Sequence, residues 1–248
     1  MTVLSVNLNK VALLRNQRDL DLPSVTRAAR ICIEAGAQGI TVHPRPDERH
    51  IRPSDVYALA DLCTTVELNI EGNPFPEFLE MVRKVRPTQA TLVPDDPDQA
   101  TSDHGWQLVQ QGEPGSDFRR LEPVVRELSG LGVRVSLFMD DDPEQIAALR
   151  ELGADRVELY TEPWARAFGG EREDEVHQSF ARAAAAAGAV GLGVNAGHDL
   201  NLHNLPRFLE IGGVLEVSIG HALIADALEM GLAQAVRAYA EITKGAPA

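Results

Sequence analysis

The sequence predicts a single (β/α)8 TIM barrel spanning residues 1–248, and three observations carry that expectation. Short runs rich in Val, Ile and Leu alternate with longer stretches of helical periodicity, the mark of repeated βα units on a parallel sheet. Eight such units in a chain of 248 residues match one closed barrel, and no break in composition marks off a second domain. An open doubly wound sheet would carry a Gly-rich fingerprint after its first strand, where this chain reads VNLNKVALL without glycine.

In order, the first strand is LSVNLN (4–9), and the first helix, 23–35, opens on Leu-Pro-Ser and stops at Gly36. GITVHP (39–44) is the second strand. The helix over 53–63 starts with Ser54-Asp55, whose side chains suit the free N–H groups and dipole of a first turn. VELNIEG (66–72), a helix over 75–86 and QATLVP (89–94) follow. The connection from Asp95 to Asp117 is long and rich in Asp, Gly, Gln and Ser, as expected of a lid or a disordered loop. A helix over 118–131 stops at Gly132 before RVSLFMD (134–140). Asp142-Pro143-Glu144 opens a helix over 142–152 that Gly153 closes, and RVELYT (156–161) is the sixth strand. After it, TEPWARAFGGERE (161–173) is an accessory segment, read as a short helix or an interface. The helix over 173–187 contains the plain tract Ala183–Ala187 and stops at Gly188. VGLGVNAG (190–197), a helix over 201–211 ending at Gly212, GVLEVSIG (213–220) and a helix over 221–243 complete the set.

Composition narrows the function classes. At 44% hydrophobic and 24% charged residues the chain has an ordinary globular mix. Acidic residues outnumber basic ones 37 to 23, for a net charge of −14. Such a surface repels phosphate backbones and anionic lipid, so neither nucleic acid nor membrane is an expected partner. The only lysines are Lys10, Lys84 and Lys244; the remaining cations are arginines, suited to bidentate recognition of phosphate or carboxylate. Cys32 and Cys63 form neither a disulfide framework nor a zinc spacing and read as structural thiols of a reducing compartment. The start MTVLSVNLNKV lacks a signal peptide's charged and apolar regions, and no apolar run is long enough to span a bilayer. The expected location is the cytoplasm.

Polar residues gather at predicted strand C-termini, where barrels of this kind place their reacting groups. Asn7 and Asn9 end the first strand, His43 and Arg45 follow the second, and Glu71 ends the third. Asn195 and His198 end the seventh, and Gly220-His221 the eighth. In VELNIEG the odd positions alternate with Leu68 and Ile70, so Asn69 is expected one layer below Glu71, whose carboxylate emerges at the mouth. A carboxylate in a partly dry pocket has its pKa raised, which suits a general base; an Arg-paired or loop-capping acid is the structural alternative. HPRPDERHI sets His43, Arg45 and His50 on one Pro-stiffened loop, while His203 and His177 read as surface positions. Free N–H groups at the helix starts after strands seven and eight, beside Gly197 and Gly220, form a phosphate seat. His43, Glu71 and His198 are also types that can chelate a divalent ion, so a metal reading stays open. A lysine imine is disfavoured, because only Lys10 lies near the mouth.

Together VNLNKVALLRNQR, GITVHPRPDERHI, LNIEG, LVPDDPDQATSDHGW, VELYTEP, VNAGHDLNLHNL and EVSIGHALI resemble the pyridoxine 5′-phosphate synthase family, over about residues 4–235. The resemblance implies condensation of two phosphorylated small molecules, 3-amino-2-oxopropyl phosphate and 1-deoxy-D-xylulose 5-phosphate, with release of inorganic phosphate and water. It implies no metal and no organic cofactor, and self-association as a homo-octamer. By position, Glu71 resembles the family's general base, His43 its second acid/base group and His198 its proton donor. Asn7, Arg18, Arg45, His50 and Thr101 resemble ligand-binding positions, and the backbone N–H groups of Asp199, Gly220 and His221 resemble phosphate holders. Asn9, Lys10 and Glu158 are further candidates. The chain departs from the family pattern in reading Leu8-Asn9-Lys10 where Ile-Asp-His is usual, and in placing Asp199 where glycine is common. Two rival readings remain at this point: a metal-dependent barrel hydrolase or aldolase acting on a sugar phosphate, and a non-catalytic carrier of a phosphate ligand.

Overall fold

The computed structural model describes residues 1–97, 99 and 101–246. Its parallel strands β1 (Val3–Asn7), β2 (Gly39–Val42), β3 (Glu67–Gly72), β4 (Gln89–Leu92), β7 (Arg134–Met139), β8 (Arg156–Tyr160), β9 (Gly193–Gly197) and β10 (Val214–Ile219) close into a barrel in the order β1-β10-β9-β8-β7-β4-β3-β2. Between β4 and β7 the chain adds a small antiparallel hairpin, β5 (Val109–Gln110) with β6 (Glu113–Pro114). The helices are α1 (Asn9–Arg15), α2 (Val25–Glu34), α3 (Pro53–Leu62), α4 (Pro76–Val85), α5 (Ser116–Gly130), α6 (Pro143–Leu152), α7 (Glu162–Ala167), α8 (Glu173–Ala189), α9 (Leu205–Leu209), α10 (His221–Met230) and α11 (Leu232–Lys244). The expected TIM barrel is therefore present.

Strand alternation divides the molecule into two cores. Leu4, Val6, Ile40, Val42, Ile70, Leu92, Val135, Leu137, Val157, Leu159 and Val217 are fully or almost fully buried, and with the helix stripes they form one continuous apolar cluster. The opposite parity is polar: Ser5, Thr41, Asn69, Thr91, Asn195 and Glu216 are all buried. Their bonds show that they line the lumen. Thr91 on β4 reaches Glu158 on β8, and Asn195 on β9 donates to Gln89 on β4, although these strands are not sheet neighbours. Such groups are tolerable in a barrel interior because they satisfy one another.

The helices depart from the expected pattern at three places, and the accessory segment takes one of its two expected forms. α1 begins two residues after β1, started by Asn7 Oδ1 accepting from the Asn9 N–H at 2.9 Å. The accessory segment forms the short helix α7, with Trp164 fully buried. Gly231, at φ 86°, breaks the expected last helix into α10 and α11. α9 is shorter than the expected 201–211 because Asn201 and Asn204 fold the preceding residues into a turn held by their own side chains.

The long connection after β4 is largely anchored, although Asp98 and Ala100 within it lie outside the described residues. The Trp106 backbone N–H donates to Phe138 O at 3.1 Å and its indole N–H to Leu92 O at 2.9 Å. Gln145 Oε1 accepts from the N–H groups of Leu108 and Val109. Among the described residues of this connection, Thr101 and Ser102 line the cavity at the mouth.

Candidate active site

At the C-terminal end of the strands lies a cavity of about 560 Å³. Of the candidates from sequence, Asn7, Asn9, Lys10, His43, Arg45, His50, Glu71, Thr101, Glu158, His198, Asp199, Gly220 and His221 all line it. Arg18 does not: it is exposed on the turn after α1, away from the cavity wall. Sequence reasoning set Arg49 on the loop at the mouth without giving it a role and missed Ser102, Tyr160 and Glu162, all of which line the cavity; each sits within a few residues of a strand end or a recognised site position, the one signal that marked them.

Glu71 is 5% exposed, near the end of β3, with Asn69 one layer below it as the alternation required. Asn7 Nδ2 donates to its Oε2 at 3.4 Å, and His43 Nδ1 lies 4.0 Å from the same oxygen. Burial, and then the carboxylates of Asp95 and Glu216, push the Glu71 carboxyl up to about 8 against the opposing pull of Arg45. Glu158, on β8, is raised well above the carboxylate range by burial and by Glu71 and Glu216. Both carboxyls at this mouth are thus shifted toward holding their protons.

The three imidazoles move the other way. Burial, with Arg45, His50 and His198 nearby, holds His43 well below its ordinary value. Burial and Arg45 lower both His50 and His198 to about 4. Asn9 Oδ1 accepts from the His43 backbone N–H at 2.9 Å, so the amide at position 9 fixes the second strand's end. His50 Nδ1 accepts from the Ile51 N–H at 2.9 Å, which leaves its other ring nitrogen to carry the proton. His198 packs against Phe138 and Tyr160, with ring centroids at 4.9 and 5.4 Å. It has φ 82° and Asp199 φ 57°, a left-handed pair held by Thr161, whose hydroxyl donates to Gly197 O at 2.7 Å, and by Asn204 Nδ2, which donates to Asp199 O at 3.0 Å. Glycine is the easiest occupant of such a position, and Asp is among the few other residues that tolerate it.

Arg45 is buried and pairs with Asp95, while its Nη1 donates to Gln99 O at 3.0 Å. Ser102 Oγ donates to the same Asp95 carboxylate at 2.7 Å. Across the cavity, Gly220 precedes α10 with no side-chain cap, so the first N–H groups of that helix are left for a ligand. Gly220 lies close against the first strand: a Cβ there would meet Asn7 Cβ at 3.1 Å, so Asn7 would have to shift to admit one. Lys10, Arg45 and the α10 N-terminus thus make a cationic rim around buried proton carriers. Among the described residues no group of three or more His, Cys, Asp or Glu is placed to hold a metal ion.

Comparison with known proteins gives the lineage. Solved structures that share the fold include a thiamine phosphate pyrophosphorylase from Pyrococcus furiosus (TM-score 0.60, 13% identity, 98% of this chain and 95% of that one). Another is a phosphoribosyl anthranilate isomerase from Thermus thermophilus (TM-score 0.58, 14% identity, 98% of each chain). At such identities only the barrel is shared. A curated pyridoxine 5′-phosphate synthase of Albidiferax ferrireducens is 55% identical over 247 residues, covering 96% of each chain. One of Xanthomonas campestris is 53% identical over 254 residues, covering 98% of this chain and 97% of that one. The family model of the pyridoxal phosphate biosynthesis protein PdxJ matches residues 4–245, and the chain belongs to that family.

Proposed function

We propose that the protein is a pyridoxine 5′-phosphate synthase that joins 3-amino-2-oxopropyl phosphate to 1-deoxy-D-xylulose 5-phosphate by general acid/base catalysis. One observation carries the reading: Glu71, His43 and His198 converge on one cavity, inside a rim of Lys10, Arg45 and the α10 N-terminus. The relatives' names agree with it.

The condensation begins with attack of an amine on a ketone and proceeds through eliminations to ring closure, so protons move at several atoms in turn. Glu71, with a proton affinity near neutrality, takes the role of general base, and His43 beside it passes protons to or from the same region. His198, between Phe138 and Tyr160 on the opposite wall, serves as proton donor to departing groups. Burial, and then Arg45 and Lys10, depress its basicity; a substrate phosphate opposes the two cations, so binding raises the ring's proton affinity. Asn7, His50 and Thr101 orient substrate, and the N–H groups at Asp199, Gly220 and His221 receive phosphate. Asn9 acts through His43, whereas Lys10 supplies a cation where relatives of the usual pattern have an imidazole. Arg18, exposed in this chain, reaches ligand only if a neighbouring copy brings it there, which fits a homo-octamer. Leu14, Leu20, Leu22 and Leu228 are 53–79% exposed and supply apolar surface for that assembly. The free thiols Cys32 and Cys63 fit the cytoplasm.

The test is to mix the two phosphorylated substrates with purified protein and follow product absorbance and phosphate release, with and without exhaustive chelation. Turnover that survives chelation supports the reading. Turnover abolished by chelation and restored by a divalent ion points to the metal enzyme, and binding without phosphate release points to a carrier.

A further inference from the structure

Thr161 is fully buried where β8 runs into α7, at the position that precedes the helix's first turn. A threonine there ordinarily turns its hydroxyl to accept from the free N–H groups of that turn, and this one makes no such bond. Its hydroxyl is directed to the neighbouring strand end instead, donating to Gly197 O at 2.7 Å and to His198 O. Both partners are carbonyls, which only accept, so the direction of these contacts is fixed: one hydroxyl proton serves two oxygens. The Thr161 backbone N–H adds a further bond to Gly197 O at 2.9 Å. A single residue thus grips the peptide groups before and after the His198 Cα.

That grip acts on a conformation that needs it. His198 and Asp199, at φ 82° and 57°, occupy a region that residues with side chains keep only when their surroundings hold them there. Relaxation of φ to a negative value would swing the His198 Cα–Cβ bond and carry the ring off its seat. The seat itself is built: Val93, Phe138 and Tyr160 form an apolar cluster of their own, and the imidazole packs on the two aromatic members. The accessory segment also secures the far side of the turn. The Trp164 indole N–H donates to Asn204 O at 3.2 Å, and Asn204 Nδ2 donates to Asp199 O at 3.0 Å. The Asn204 amide is oriented for this by the Asn201 N–H, which donates to its Oδ1 at 2.8 Å.

We propose that Thr161 is a positioning residue for His198: its hydroxyl, diverted from capping α7, holds the two peptide groups that flank the imidazole and so fixes where that ring delivers its proton. The accessory segment after β8 thereby anchors the loop that carries the proton donor.

The role in turnover rests on the synthase reading; the placement of the ring does not, and the two are read separately. In protein carrying isotope-labelled histidine, the His198 ring signal is identified by its loss in His198→Asn, and its position at pH 7 reports the ring currents of Phe138 and Tyr160. Thr161→Val, nearly isosteric, should strip most of that ring-current shift, and Thr161→Ser should restore it. In phosphate-release kinetics Thr161→Val should lower kcat by roughly 10–10²-fold per folded molecule, with KM for each substrate changed less than about threefold. Thr161→Cys, whose thiol is a weaker donor, should fall between the two and replaces the valine variant if that one does not fold. A threonine needed only for stability would lower the urea midpoint and leave both the ring signal and kcat unmoved, and that result would overturn the proposal. So would a displaced ring with kcat unchanged. If wild type itself releases no phosphate from the two substrates while Thr161→Val displaces the ring, the synthase reading fails and the placement of His198 by Thr161 stands.

Discussion

Replacing Glu71 by Gln should separate turnover from stability, in opposite directions. In the unfolded chain this carboxyl titrates near its ordinary 4.5, whereas in the fold it is raised to about 8. Between those values the folded protein retains a proton that the unfolded chain has released, so stability is highest below about pH 4.5 and declines as pH rises through the window. The difference of 3.5 pH units at about 1.36 kcal/mol each amounts to roughly 5 kcal/mol lost from the folded state by pH 8 and above. Gln keeps the shape and can still accept from Asn7, but it never ionises. The variant should match wild type at pH 5 to within about 1 kcal/mol and exceed it by on the order of 3–5 kcal/mol at pH 9. Urea titrations at the two pH values measure this directly, since a stabilisation of that size displaces the midpoint by about 1 M or more at ordinary slopes. The same protein should bind both substrates yet lose about 10²–10⁴-fold in turnover. A variant destabilised equally at pH 5 and pH 9 would show that Glu71 does not ionise at a cost to the fold. Near-wild-type rates would remove it from the chemistry.

His198→Asn should lower kcat by about 10²-fold or more with KM nearly unchanged, measured as phosphate release; loss of binding alone would make the ring an anchor. Asp95→Asn removes the charge that holds Arg45, and should raise KM several-fold with a smaller effect on kcat, read from steady-state kinetics with each substrate varied in turn. Leu228→Asp places a charge on an apolar side chain that is 79% exposed, and should lower the sedimenting mass without changing the circular dichroism if this face joins copies.

Much of the barrel was legible because its strands alternate. In ELNIE and QATL the apolar residues share one parity and the polar residues the other, so both the outer core and the lumen were written locally. Glu71, His43 and His198 were legible for a related reason, since strand C-termini converge once a barrel is assumed. α1 was not, because VNLNKVALL passes from strand to helix with no glycine or proline, and the Asn7 side chain alone makes the turn. The partners of Arg45 were equally hidden: Asp95, itself held by Ser102, and Gln99 lie about fifty residues further along, and only the fold of an irregular connection brings them to the guanidinium. The Gln89 and Asn195 amides in the lumen are oriented by Arg134 and Arg156 at its far end, a relation between distant strands that no local pattern encodes.

The fastening of Trp106 to Leu92 and Phe138 also bears on how the molecule can be engineered. It isolates the hairpin tip, exposed Gln111 and Gly112 at φ 54° and 76°, from the residues that reach over the mouth. A fluorophore or affinity tag spliced between those two residues would extend into solvent from an already turned chain, leaving the catalytic end untouched. The same graft a few positions earlier would pull the indole from its seat.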